Sequence, residues 1–434
     1  MKSLTNDSAT FKERNLTMQT IALRRVVAPL AASLFALGTP AFAAELAEGT
    51  VISKENIDRV MNDTFMGHKV SDLLTERMQW FVRTYDKKYP LTKAPEPQLD
   101  PKYVEATKKY SSQVKLDPQT REVTGYAAGM PFPNIDPSDP LAGDKVIWNF
   151  YLGAPSGGDV YNTTYFLTAN KNGFEASQKW TFQRIWAKNR LWGEAPFPNE
   201  PTVFTKTILV GLQPQDVRGV GTFTVQYEEA NKLDDLWAYI KSARRVRRLS
   251  GNSWMDNVGG FDFLNDDTSL WNSRPSRYQS TKLIGKRWIL AATDFEPERV
   301  KGKEGTGEEW ANLNFKDAPY LMSTQKVTPR EVWVVEGTPP DGHPYGKKVA
   351  YVDTKVPAVY HTEVYDKNGD FWRMMDHHFN QRVGAKSGIK YYYALGGEML
   401  DFKAMHGTFW TAESKVDVGL NPIQHTVEKL ERLQ

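Results

Sequence analysis

Residues 234–249, DDLWAYIKSARRVRRL, set an alternating aromatic segment beside a dense run of arginines. A β-strand sends successive side chains to opposite faces. Over residues 236–240, Trp237 and Tyr239 therefore share one face, and Leu236, Ala238 and Ile240 share the other. If Arg244-Arg245-Val246-Arg247-Arg248 is extended as well, Arg245 and Arg247 point one way and Arg244 and Arg248 the other. So many guanidinium groups require anionic partners, either carboxylates of the same chain or a bound anion. They cannot all be buried unpaired, because desolvating an isolated charge is costly. One pair is therefore expected to meet Asp262 and Asp266 or Asp267, and the other to lie at a sheet rim, open to an anionic headgroup or a partner's acidic surface.

The strand pattern recurs along the chain. Candidates fall at 146–152, 163–167, 178–187, 202–212, 219–228, 236–240, 282–291, 331–336, 348–353, 358–365, 371–376 and 408–412. Asn368-Gly369 ahead of Phe371-Trp372 predicts a hairpin, since Asn-Gly accepts the positive φ of a tight turn. The helix–strand alternation of a doubly wound fold is missing, and so is any glycine-rich nucleotide loop. Residues 44–115 are the most helical part: Ile57, Val60, Met61 and Phe65, then Val70, Leu73, Leu74, Met78, Phe81 and Val82, recur at helical spacing up to Tyr89-Pro90. The expected fold is mainly β: a large antiparallel sheet with N-terminal helices bracing or covering it. Ten or more strands must curl, close or stack, and periodicity alone allows a sandwich as readily as an incomplete barrel.

At the N-terminus, Arg24-Arg25 precede an apolar run over 26–37, followed by Ala41-Phe42-Ala43. A positive flank, a short apolar core and an A-x-A site make a secretory signal peptide, cleaved after Ala43, and the run is too short to span a bilayer well. The expected organisation is 1–43 signal peptide, 44–121 helical segment and linker, and 122–434 sheet domain. Removing 1–43 takes away five basic and two acidic residues and leaves 50 of each, so the net charge of +3 belongs to the leader. That argues against nucleic acid as a partner. The chain has no cysteine, which excludes disulfides, thiolate metal sites, a cysteine nucleophile and a lipidated N-terminal cysteine.

Catalytic patterns are missing. His377-His378 would face opposite ways on a strand, and neither H-E-x-x-H nor G-x-S-x-G occurs. Asp366-x-Asn368-x-Asp370 lacks the twelfth-position Glu of a calcium loop and reads as a turn. No cofactor, metal or enzymatic activity is expected. Aromatic residues on strands fill a core or line a ligand cavity. The cavity candidates are Trp148, Trp237, Tyr239, Trp288, Trp333, Tyr351, Tyr360 and Trp372, and Arg244, Arg245, Arg247 and Arg248 are the anion- or partner-binding candidates.

Asp235-x-Trp237-x-Tyr239 with Arg244–Arg248 resembles the core of the bacterial family called domain of unknown function 1329. The resemblance extends to Gly129-Met130-Pro131-Phe132-Pro133 with Gly143 and Trp148-Asn149, Phe261-Asp262-Phe263-Leu264, Pro275-Ser276-Arg277-Tyr278, Leu283-Ile284-Gly285-Lys286-Arg287, and the segments 331–336, 348–353, 365–366 and 371–373. Residues 255–260 are shorter and poorer in proline than the family's usual insertion. That family is grouped by fold with the periplasmic lipoprotein carriers LolA and LolB. The resemblance thus implies a half-barrel rather than a sandwich, and a periplasmic carrier or chaperone of a lipid-like ligand. It also implies an outer-membrane protein and an inner-membrane exporter of the resistance-nodulation-division class as companions. The alternatives are an interaction subunit with a filled core and, third, an enzyme.

Overall fold

A computed structural model describes residues 43–432 except 242–243 and 250–252. The signal peptide reading over 1–43 falls, apart from Ala43, outside the described residues.

Thirteen strands form one antiparallel sheet that curves without closing. In chain order they are β1 (Asp159–Asn170), β2 (Gly173–Trp186), β3 (Val203–Gln213), β4 (Gly221–Tyr227), β5 (Asp235–Ile240) and β6 (Arg245–Arg248), then β7 (Ser280–Ala291), β8 (Thr328–Thr338), β9 (Lys347–Asp353), β10 (Val359–Tyr365), β11 (Phe371–Val383), β12 (Lys390–Asp401) and β13 (His406–Val416). From β1 the chain meanders outward to one edge at β6, resumes at the opposite edge with β7, and meanders back to β13. There β13 pairs with β1, from Val160↔Val416 to Asn170↔His406. Strands β6 and β7 are therefore consecutive in sequence yet lie at opposite edges. Their connection has to cross a face of the sheet, here called the inner face.

Six helices accompany the sheet among the described residues: α1 (Ile57–Val60), α2 (Val70–Leu73), α3 (Glu76–Tyr85), α4 (Pro101–Tyr110), α5 (Ala142–Gly153) and α6 (Val427–Arg432). The N-terminal helices bury Ile57, Val60, Val70, Leu73, Met78 and Val82 against Leu290 and Trp288 of β7. Thr75 caps α3 by accepting from the Met78 amide, and left-handed Asp86 ends it. The described residues form one compact unit. On the outer face, α6 sets Leu430 against Ile208, Val210, Phe223 and Tyr239.

Three readings of the sequence are corrected. Residues 146–152 are not a strand but most of α5, whose Val146, Ile147, Trp148, Asn149 and Phe150 are all buried. A helix enclosed on every side loses its amphipathic period, and a short apolar run then reads as a strand. Gly143 allows this close seating, since a Cβ there would collide with the Thr281 carbonyl oxygen of β7. The helical reading over 57–65 breaks after Val60, because Met66 and Gly67 both take positive φ and turn Thr64–Phe65 back on His68–Lys69. Strand β12 was missed because Gly396-Gly397 in its interior reads as a turn. A Cβ at either glycine would strike Phe295 or Trp410. The expected hairpin joins β10 to β11, with Gly369 at positive φ and Asp366 Oδ1 accepting from the Asn368 and Asp370 amides.

The histidines divide by environment. Burial lowers His361, but Asp376 at 2.6 Å and Glu363 at 3.4 Å outweigh it and raise its pKa to about 9. Burial lowers His377 and His378 to about 3 and His425 to about 4. A histidine with a raised pKa contributes stability below about 6.5 that is lost as pH rises towards 9, whereas one with a lowered pKa costs stability as pH falls below about 6.5. The histidine contribution should therefore peak near neutrality. Urea midpoints should fall on both sides of about pH 6.5, and His361→Gln should flatten the alkaline arm. A midpoint that keeps rising from pH 6.5 to 9 in the unsubstituted chain would contradict this.

Candidate functional site: a roofed cavity on the inner face

Residues 249–279, the connection from β6 to β7, contain three 3₁₀ turns: Ser253–Met255, Asn265–Leu270 and Pro275–Arg277. Phe261 stacks on Phe263 with centroids 5.6 Å apart and on Phe166 of β1 at 4.6 Å. Trp271 stacks on Tyr278 at 4.3 Å. With the end of α5, this connection roofs a cavity of about 270 Å³. Its floor is the inner face of β1–β5, where the alternation supplies Asn162, Thr164 and Phe166, then Phe182, Arg184 and Trp186, then Thr207 and Leu209, Thr222, Thr224 and Gln226, and Leu236. The register places these side by side, as in the row Leu236–Thr224–Thr207–Arg184. His377, Phe379, Tyr392, Met399 and Trp410 add a wall from β11–β13.

A buried charge cluster holds the roof. Lys348 of β9 is fully buried, with its Nζ 2.6 Å from Asp267 Oδ1 and 3.5 Å from Asp266 Oδ2. Tyr278 donates to Asp266 at 2.5 Å and Tyr345 to Asp267 at 2.6 Å. Arg373 in turn donates to Tyr345 at 2.9 Å and to Asp401 at 3.0 Å. Burial raises the Asp266 carboxyl, but Lys348 and His343 overcome it and hold it well below the usual carboxylate range. Asp262 fixes another part of the roof, bound to His406 at 2.6 Å and to Thr408 at 2.7 Å. That hydrogen bond, against the effect of partial burial and with Glu175 adding to it, raises His406 to about 9.

Asp262, Asp266 and Asp267 are thus committed to His406, Thr408 and Lys348, not to the arginine run as expected. Arg244 is not extended but sits in a turn at φ +48°. Strand β6 is the sheet edge, and all four arginines are exposed. Arg248 pairs with Asp235, and it is the one member of the four with an ion pair among the described residues. Pairings Ala238↔Arg247 and Ile240↔Arg245 put Arg245 and Arg247 on the inner face, as alternation required.

None of the eight aromatic candidates is among the cavity-lining residues. Trp237 and Tyr239 do share a face, but it is the outer one, where Trp237 packs on Phe223 at 5.5 Å. Trp148 lies on α5 and donates to the Arg121 carbonyl. Trp288 stacks on His68 at 3.7 Å, and Trp333 joins the core with Val335 and Tyr345. Tyr351 and Tyr360 pack in a neighbouring cluster, Tyr360 donating to Asp353, while Trp372 donates to Asp401. The lining residues that sequence reasoning missed are Arg184, Thr207, Leu209, Thr222 and Thr224. Their signal was the alternation of β2–β4, with small or polar residues on one face. Among the described residues, no group of His, Asp and Glu side chains could hold a metal ion.

The family described as "Protein of unknown function (DUF1329)" matches residues 51–430. The chain belongs to this family. "Uncharacterized protein PA3922" of Pseudomonas aeruginosa is 24% identical over 292 residues, 64% of this chain, and the chain spans 59% of the length of that curated relative. A DUF1329 family protein from Desulfovibrio piger is 18% identical in its crystal structure, with a TM-score of 0.47 over 68% of this chain and 100% of that one. The LolA superfamily protein NE2245 from Nitrosomonas europaea is 14% identical, with a TM-score of 0.36 over 64% of this chain and 94% of that one. Among the described residues of this DUF1329 chain, no helix is long and apolar enough to cross a membrane.

Removing the lysine should expose the roof's dependence on it. Lys348→Met strands two buried carboxylates and should lower unfolding free energy by about 3–5 kcal/mol, read from urea titration. The double substitution of Arg245 and Arg247 by serine should leave the midpoint unchanged, since both side chains are exposed and have no ion pair among the described residues. The opposite ranking would remove the cluster from its structural role.

Proposed function

We propose that this chain is a periplasmic carrier for a hydrophobic, lipid-like molecule. On this reading it is exported by cleavage after Ala43 and works with an outer-membrane protein and an inner-membrane exporter of the resistance-nodulation-division class. The observation that carries the reading is the cavity of about 270 Å³ beneath the roof, well above the roughly 150 Å³ that admits benzene in an engineered protein core. Phe150, Phe166, Phe182, Leu209, Phe261 and Phe263 give it a largely apolar lining. Each methylene buried there contributes about 0.8 kcal/mol, so a short run of chain suffices for binding. An unfilled space of this size favours a carrier over an interaction subunit with a filled core. The reading is non-catalytic and without a cofactor: the buried carboxylates of the roof, Asp262, Asp266 and Asp267, are engaged by Lys348, His406 and tyrosine hydroxyls.

Native mass spectrometry of protein purified from its host should show an apolar adduct, and Leu209→Trp, which fills the floor of the cavity, should remove it while the fold is retained. An unsubstituted protein without adduct, on which lipid extracts have no effect, would overturn the carrier reading. Edman sequencing of the periplasmic fraction should begin at Ala44, and an intact segment 18–43 on the folded protein would overturn the export step.

A further inference from the structure

We propose that the molecule held in the cavity is an amphiphile with an anionic head, a carboxylate or phosphate monoester on an apolar chain, and that Arg184 binds the head. This rests on the carrier reading and narrows it to a substrate class.

Arg184 stands on the inner face of β2 between Phe182 and Trp186, with its guanidinium carbon 5.0 Å and 5.6 Å from their ring centroids. Its Nε donates to Thr207 Oγ1 at 2.8 Å on the neighbouring strand, which fixes the direction of the head group. The two terminal nitrogens have no hydrogen-bond partner, and the guanidinium has no ion pair, among the described residues. Arg184 is one of the residues that line the cavity.

The charge balance of the lining makes this guanidinium a surplus. The one lining carboxylate among the described residues, Asp234, has its Oδ1 2.9 Å from Arg277 Nη2 and also accepts from Gln226 at 3.4 Å. His377 is held neutral at physiological pH by burial. Among the described residues Arg184 is the only Lys or Arg of the lining, and although burial lowers its pKa, an arginine remains charged. An unmatched cation among Phe182, Trp186 and Leu209 is disfavoured until an anion arrives, and the paired terminal nitrogens suit the two oxygens of a carboxylate or phosphate. On the same face, the neighbouring cross-strand row runs from Phe182 through Leu209, Thr222 and Ala238 to Arg247 at the sheet edge.

Delipidated full chain is titrated with hexadecanoate, hexadecyl phosphate, hexadecanol and methyl hexadecanoate by displacement of a fluorescent apolar probe. The two anions should bind at least about tenfold more tightly than the two neutral compounds, in keeping with a charge-assisted hydrogen bond. Arg184→Gln should abolish that preference, bringing the anions to the affinity of the neutral compounds. The preference within the unsubstituted chain is readable even if the variant fails to fold. Equal binding of hexadecanoate and hexadecanol would overturn the head-group assignment and leave the carrier reading standing. Failure of all four to displace the probe would overturn both. Displacement of bound hexadecanoate by inorganic phosphate or acetate at comparable concentration would make Arg184 a site for a free anion and overturn the proposal.

Discussion

The bond between Lys348 and the Asp266–Asp267 pair governs what the rest of this fold can do. A meander that starts in the middle of a sheet and returns to it must once carry the chain from one edge to the other, here between β6 and β7. Left unanchored, such a crossing would be a long surface loop with little reason to settle in one place. Ser269 and Leu270 take left-handed backbone conformations within it, which cost about 1–3 kcal/mol each for residues with a side chain. The buried lysine, both carboxylates, and the hydroxyls of Tyr278 and Tyr345 offset that cost. The ion pair would be a poor bargain for stability alone, because desolvating three charges nearly cancels their attraction. What it secures is position: one place for the roof over one face of the sheet.

Much of the sheet was legible because strands half-covered on each face keep the period of two. Eleven of the twelve strand readings fall on strands of the sheet, including the edge-proximal Asp235–Ile240. The exception, α5, is enclosed by the roof, by β7 and by the loop at Phe132, so nothing in its sequence marks a solvent side. Strand β12 was hidden for the opposite reason: its two glycines make room for Phe295 and Trp410, and a glycine needed for close packing looks the same in sequence as one needed for a turn.

The site was far less legible, for a physical reason. Large aromatic side chains occupy space, so a search that favours Trp148, Trp333 or Tyr360 finds the filled parts of the protein. The void opens over Thr207, Thr222 and Thr224, ringed by other aromatic residues such as Phe166, Phe182 and Phe261, beneath a roof supplied by another stretch of chain. The aspartates of the roof were noticed, but their partner was sought next to them in sequence. Lys348, the true partner of Asp266 and Asp267, lies about eighty residues further on, a distance that alternation cannot bridge without knowledge of which strand passes beneath the loop.

An open sheet keeps a row of unpaired amides and carbonyls along each edge, a ready template for pairing with another copy. Here one edge is only four residues long, and Arg245, Arg247 and Arg248 stand on it. A second copy aligned edge to edge would bring like charges directly opposite each other, which cross-strand packing penalises. The arginine run that promised a binding site by its density thus has a quieter effect as well. It works against a second copy of the chain extending the sheet from this edge.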